Sequence, residues 1–167
     1  MNEDKERLHV LSALVANRPG VLARVAGLFS SRGYNIHSLT VGATDNPEIS
    51  RMTITSRGDE ATLEQIRKQL GKVIDIIKVQ DFSGRDFVQR DLMLVKVNVP
   101  AAKRGEIVEL CDIFRGKVVD IGAKHVILEI AGPEAKIEVL LQLLKPYGIK
   151  EVARSGRIAM LRGLKET

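Results

Sequence analysis

The sequence is poor in most of the residues that chemistry at a protein site requires. It has one cysteine, Cys111, three histidines, no tryptophan, two tyrosines and four phenylalanines among 167 residues. A single cysteine excludes an intramolecular disulfide and argues against a stapled secreted scaffold. Its neighbours Ile107, Val108, Leu110, Ile113 and Phe114 are apolar, so Cys111 is expected as a small buried hydrophobe on a helix. His9, His37 and His125 stand apart, in no metal-ligand pattern, and are expected to be structural or surface groups. No apolar run approaches the ~20 residues of a membrane-spanning helix. The start, Met1 to Arg7, mixes acidic and basic residues, with neither an apolar signal segment nor the composition of a transit peptide; the expected compartment is the cytoplasm. The formal charge of +5 would suit a nucleic-acid partner, but Lys and Arg are scattered, and a single-strand groove wants aromatic platforms beside its charges. A nucleophile elbow, a Walker loop and a dinucleotide fingerprint are all missing. Asp45 and Glu48 bracket a turn, and Ser30-Ser31 ends a helix with no base nearby. Binding is therefore a better expectation than catalysis, and no membrane or nucleic-acid partner is expected.

What the sequence does contain is one plan written twice. Leu8 to Ala16 reads as a short apolar strand. Asn17-Arg18-Pro19-Gly20 turns into a helix whose Val21, Leu22, Val25, Leu28 and Phe29 share one face. Gly33 closes it, because a left-handed terminal residue costs little without a Cβ. Asn35 to Ala43 and Ile49 to Ser56 are strands joined by Asp45-Asn46-Pro47. Asp59 is placed to cap a helix carrying Leu63, Ile66 and Leu70, with Glu64 and Lys68 paired one turn apart. The β-branched stretch Val73 to Val79 is a fourth strand. The order then repeats: strand Leu92 to Val99, a helix marked by Ile107, Val108, Leu110, Cys111 and Phe114 and stopped at Gly116, strands Val118 to Ile121 and His125 to Ile130, a helix opened by Pro133, and strand Ile149 to Ala153.

The repeat of about 80 residues is longer than a solenoid unit, so each copy is expected to be a domain. The expected domains are 1–81 and 91–167, with a linker at 82–90 around Ser83-Gly84-Arg85-Asp86. The fold class is α+β, two tandem ferredoxin-like βαββαβ domains. In this plan the second strand lies at a sheet edge, which invites pairing with another chain. A core of about 75 residues is also marginal on its own. A homodimer is expected.

One stretch looks built for a ligand. The turn 17–20 opens a helix whose first N–H groups and positive dipole end attract a carboxylate. Gly20 lets a ligand approach the backbone closely, and Asn17 is placed either to cap the helix or to offer its amide to the ligand. Spacing alone describes an ordinary capped helix with a proline in its first turn better than a ligand site.

The surrounding residues decide between these. Asn17-Arg18-Pro19-Gly20-Val21-Leu22-Ala23-Arg24-Val25, then Leu28-Phe29 and Arg32-Gly33-Tyr34-Asn35-Ile36, closely resembles the signature of an ACT domain, and specifically that of the acetolactate synthase (acetohydroxyacid synthase) small regulatory subunits. The resemblance continues through Ser38-Leu39-Thr40-Val41, Ser50-Arg51-Met52-Thr53-Ile54, Arg90 to Val97, Ile113 to Asp120 and Glu151 to Gly156, nearly the whole chain. It implies a first domain of ACT type and a non-catalytic, regulatory role. It also implies a large catalytic subunit as partner, which uses thiamine diphosphate, Mg²⁺ and FAD to make acetolactate from pyruvate; none of these cofactors is expected in this chain. The resemblance further implies activation of that partner and feedback inhibition by valine. By analogy Asn17, Gly20, Val21 and Leu22 of one protomer hold the effector, and Asn35 and Ile36 of the facing protomer complete the pocket. Arg18 and Pro19 fall where the family varies, and Ala23 stands where some relatives carry serine. The second copy has Ala101-Ala102-Lys103-Arg104-Gly105 instead of the Asn-x-x-Gly turn, so it is expected to serve dimerisation and partner contact. An amino-acid-responsive transcription regulator is the alternative, but it would need a DNA-reading element, and no spare segment of that size remains. An RNA reader would want aromatic residues on its central strands, where Leu11, Ala13, Met52 and Ile54 stand instead.

Overall fold

The apolar run near the start of the chain is a strand, β1 (Arg7–Ala16), and the structure, a computed structural model, describes residues 7–163. The outermost residues of the two expected domains, 1–6 and 164–167, lie outside the described residues. After β1 come α1 (Val21–Ser31), β2 (Ile36–Ala43), β3 (Ile49–Gly58), α2 (Glu60–Leu70) and β4 (Ile76–Asp81). Then follow β5 (Phe87–Asn98), α3 (Arg104–Ile113), β6 (Lys117–Ile121), β7 (His125–Gly132), α4 (Glu134–Leu144), β8 (Ile149–Arg154) and β9 (Ile158–Leu161). The two antiparallel sheets have the orders β2-β3-β1-β4 and β6-β7-β5-β8, with β9 also paired to β5. This is the ferredoxin-like arrangement twice over. Its second strand, β2, is an edge strand.

Contacts group residues 7–88 with 157–163, and residues 89–156 separately. In the first group, Leu11, Ala13 and Val15 of β1 alternate onto one face of the sheet, as period 2 requires. They meet Met52 and Ile54 of β3, Val21, Val25 and Phe29 of α1, and Leu63, Ile66 and Leu70 of α2. Gly33, at φ +69°, ends α1 in the left-handed conformation. The Asp59 carboxylate accepts from Thr62 N at 2.7 Å and caps α2. Hydrogen bonding from the Thr62 side chain, and next from its N–H, holds the Asp59 carboxyl below its ordinary range. Glu64 pairs with Lys68 at 3.5 Å and with Arg67 at 2.7 Å. Leu11, Ala13, Met52 and Ile54 are thus helix-facing core residues; the opposite face carries Ser12, Thr53 and Thr55, which are no aromatic platform either.

In the second group Met93, Val95 and Val97 of β5 and Val126, Leu128 and Ile130 of β7 pack on Ile107 and Cys111 of α3 and Ile137, Leu140 and Leu144 of α4. Burial pushes the Cys111 thiol up, with the Asp112 carboxylate adding to the effect. The α3 helix stops earlier than the glycine signal indicates. Arg115 itself takes the left-handed conformation at φ 52°, and Gly116 N donates to Cys111 O at 2.8 Å. What Gly116 supplies is room, since a Cβ there would lie 2.9 Å from Cys111 Sγ and 3.1 Å from Glu129 O.

Two further sequence expectations differ from the structure. The fourth strand starts at Ile76 rather than Val73, because backbone turns Val73 N→Leu70 O and Ile76 N→Val73 O carry the chain off α2 first. Residues 82–90 are not an open connector. Phe82 is buried and stacked on Phe87 at 5.2 Å, and β5 already runs from Phe87. The cause is a second small core in the first group, Val10, Phe82 and Ala159 with Phe87 and Leu161 against it. Two of those residues, Ala159 and Leu161, lie on β9, whose four residues are too few to give a strand signal of their own.

Candidate functional site

The turn after β1 is fixed by four backbone and side-chain hydrogen bonds. Ala16, the last residue of β1, pairs with Ile49 and donates its N–H to Asp75 O at 2.8 Å. Asn17 N donates to Glu48 O at 2.7 Å, and Asn17 Nδ2 donates to Pro47 O at 2.8 Å. Arg18 N returns to Ala16 O at 3.1 Å. Asn17 therefore does not cap α1. Its side chain ties the turn to the β2–β3 connection, and the cap position belongs to Gly20 at φ 86°, ψ −12°.

With glycine as cap, no side chain accepts from the first turn of α1. The first helical bond is Arg24 N→Gly20 O at 3.0 Å, and the N–H groups of Val21, Leu22 and Ala23 find no acceptor among the described residues. Such orphan donors, at the positive end of the helix dipole, favour an anion. Gly20 is exposed, and a Cβ added to it would meet nothing within 4 Å. Val21 is anchored in the core at 3% exposure, while Leu22 stands out at 47%. The turn thus offers three free amides, an open backbone and one projecting apolar side chain.

Asn35 and Ile36 lie elsewhere. Asn35 is exposed and its carbonyl accepts from Ser56 Oγ at 2.8 Å. Ile36 opens β2 opposite Ser56, and Ser56 lies opposite His9 on β1. Seven strand positions separate His9 from Ala16, about 23 Å at the rise of a β-strand. The structure therefore brings Asn17, Gly20, Val21 and Leu22 together but leaves Asn35 and Ile36 at the other end of the same sheet.

A residue that sequence reasoning passed over sits behind the turn. The Asp75 side chain is 3% exposed, and its carboxylate pairs with Arg18 Nε at 3.4 Å and with Arg24 Nη1. The signal was there to read: an aspartate inside Val73-Ile74-Asp75-Ile76-Ile77 must be partnered if it is buried. His9 is structural. Its Nε2 donates to Gly58 O at 3.0 Å, and its Nδ1 lies 3.2 Å from Ser83 Oγ. Among the described residues no group of three or more His, Cys, Asp or Glu is arranged to hold a metal, and no helix is long and apolar enough to cross a membrane. A cavity of about 420 Å³ beside His9, Phe82, Ser83 and Arg85 does not include the Gly20 turn.

Fold and turn together place the chain among tandem ferredoxin-like proteins whose first unit is an ACT domain. Residues 11–78 match the family model described as the AHAS small subunit-like ACT domain, and residues 90–163 match that described as the small subunit of acetolactate synthase. A relative from Archaeoglobus fulgidus named probable acetolactate synthase small subunit is 51% identical, over 95% of this chain and 99% of its own. The acetolactate synthase small subunit of Mycolicibacterium smegmatis is 48% identical, over 93% of this chain and 91% of its own. The crystal structure of the acetolactate synthase small subunit from Thermotoga maritima superposes with a TM-score of 0.87 at 40% identity, covering 95% of this chain and 99% of that one. The chain belongs to the acetolactate synthase small-subunit family. It is a regulatory subunit, not the catalytic one, and a small subunit implies a large catalytic subunit as its partner.

Proposed function

We propose that this chain senses valine for acetolactate synthase, raising the activity of the large subunit when valine is scarce and inhibiting it when valine binds. The large subunit supplies thiamine diphosphate, Mg²⁺ and FAD, and both work in the cytoplasm. In this reading the first unit, the ACT domain expected over 1–81, holds the effector, and the second, expected over 91–167, serves dimerisation and contact with the large subunit.

The observation that carries the reading is the glycine-capped turn with its three unpaired amides. A carboxylate at a helix N-terminus gains about 0.3–1 kcal/mol when exposed and up to ~2 kcal/mol when partly buried. Gly20 allows close approach, and Leu22 forms an apolar wall for a branched side chain. The pocket is completed by Asn35 and Ile36 of a second protomer. The separation of about 23 Å along one sheet supports this, since one chain cannot bring both groups to one small ligand. The β2 edge strand, which carries Ile36, pairs with its counterpart in the homodimer.

Regulation follows from where the ligand lies. An effector bridging two protomers binds one interface geometry better than another, and only that difference can shift an equilibrium. The altered geometry passes to the large subunit and favours its less active state. One methylene more or less in the pocket changes binding by only ~1–3 kcal/mol, so leucine and isoleucine bind more weakly without being excluded.

The test combines assembly and activity. The purified chain sediments as a dimer, binds valine by calorimetry, makes no acetolactate alone, and stimulates the large subunit in a valine-sensitive way. A dimer that gives no heat with valine, while still stimulating the large subunit, would rule out the sensing role.

A further inference from the structure

We infer that Asp75 is a positioning residue of the effector turn: it holds Arg18 and Arg24 on the two sides of Gly20 so that Arg18 presents its terminal nitrogens to the effector's α-carboxylate. The inference rests on reading the Asn17–Leu22 turn as the effector site.

Asp75 touches the turn at three points. Its backbone carbonyl takes Ala16 N at 2.8 Å, where the turn begins. One carboxylate oxygen faces Arg18 Nε at 3.4 Å, within the turn, and the other faces Arg24 Nη1, where the first helical bond closes onto Gly20 O. A buried carboxylate needs a partner, and one well-placed guanidinium satisfies it. Two guanidiniums arriving from either side of a single glycine do more than neutralise a charge. Two positive charges against one negative leave one positive charge beside the free amides of Val21, Leu22 and Ala23.

The two arginines are not equivalent. Arg24 makes the closer pair, with its carboxylate oxygen also a hydrogen-bond acceptor. Arg18 approaches the other oxygen most closely through Nε, at 3.4 Å, and its side chain is 66% exposed. Its Nη groups are thus left to grip a second carboxylate as a planar fork. Asp75 fixes the near end of that fork, and the effector takes the far end.

The test is valine calorimetry on the full-length chain, with thermal melting recorded on each variant. In Asp75→Asn and in Arg18→Gln valine binds about tenfold more weakly, the size of losing one charge-assisted hydrogen bond. The double variant is no weaker than either single one, because Asp75 acts through Arg18. If Asp75 serves stability only, Asp75→Asn melts lower while the Kd of the folded protein is unchanged, which overturns the inference. Losses that multiply in the double variant to about a hundredfold overturn it too. Should Asp75→Asn fail to fold, Arg18→Gln, at an exposed side chain, decides: an unchanged Kd there is equally fatal. A wild-type chain that binds no valine at all is a different failure, which removes the effector site itself.

Discussion

Gly20→Ala and Gly20→Asp separate backbone strain from charge at the proposed effector turn. Gly20 has φ 86° and ψ −12°, and an added Cβ meets nothing within 4 Å. The whole stability cost of alanine is therefore conformational, about 1–2 kcal/mol for an L-residue held left-handed. Aspartate tolerates that conformation better than most residues, and at this position it also caps a helix that lacks a side-chain cap. Gly20→Asp should thus be no less stable than Gly20→Ala. Valine binding should diverge in the opposite sense. Two carboxylates about 4 Å apart repel by about 4 kcal/mol at an effective dielectric of 20. The arginines behind the turn offset part of this; half of it remaining still weakens Kd about thirtyfold. Urea denaturation reads the first quantity and calorimetry with valine the second. The expected result is two variants of similar stability, of which Gly20→Ala keeps most of its affinity and Gly20→Asp loses at least about thirtyfold. Equal affinities in the two variants would refute the anion site.

Three further outcomes follow from the packing. Arg154 grips Asp91, whose side chain is 1% exposed, through Nε at 2.7 Å and also through Nη2, and reaches Glu138 at 2.6 Å. Arg154→Gln removes the charged partner of that buried carboxylate, which keeps Ser155 Oγ as a donor at 3.3 Å, and should cost about 3 kcal/mol in urea denaturation; a loss below about 1 kcal/mol would mean Ser155 suffices as its partner. Gly116→Ala forces a Cβ to 2.9 Å from Cys111 Sγ, 3.0 Å from Ile130 Cγ1 and 3.1 Å from Glu129 O, an overpacking cost of about 1–3 kcal/mol. Adding Cys111→Ala should recover part of it, and a purely additive double variant would contradict the crowding at Cys111. The Asp59 carboxyl is held below its unfolded value of 3.8 by its bond to Thr62. Its contribution is present above that value and lost as pH falls through the lower folded one. Between pH 5 and 2 the wild type should therefore lose more stability than Asp59→Asn, and parallel pH profiles would exclude a charged cap.

The residues alone determined the local elements and their order. Apolar spacing of 3.6 and 2 located the four helices and most strands, and Asp59 and Gly33 marked helix ends, because such signals act over a single turn or pleat. The Asn17–Gly20 turn was also legible, since close approach to the backbone selects glycine directly; that Gly20 is left-handed came from the fold. The repeated order implied the ferredoxin-like plan and hence the edge position of β2. Tertiary structure decided what depends on distant partners. Asn17 turned out to brace Pro47 instead of capping its own helix. Arg115 took the left-handed position, leaving Gly116 to make room for Cys111. Phe82 was buried by Phe87 and β9, which lie near it only in the folded chain. Asp75 reached Arg18 and Arg24 across more than fifty residues because β4 lies beside β1. Sequence periodicity reports which face of an element is apolar; which polar groups will meet behind a turn is fixed only when the sheet brings its strands side by side.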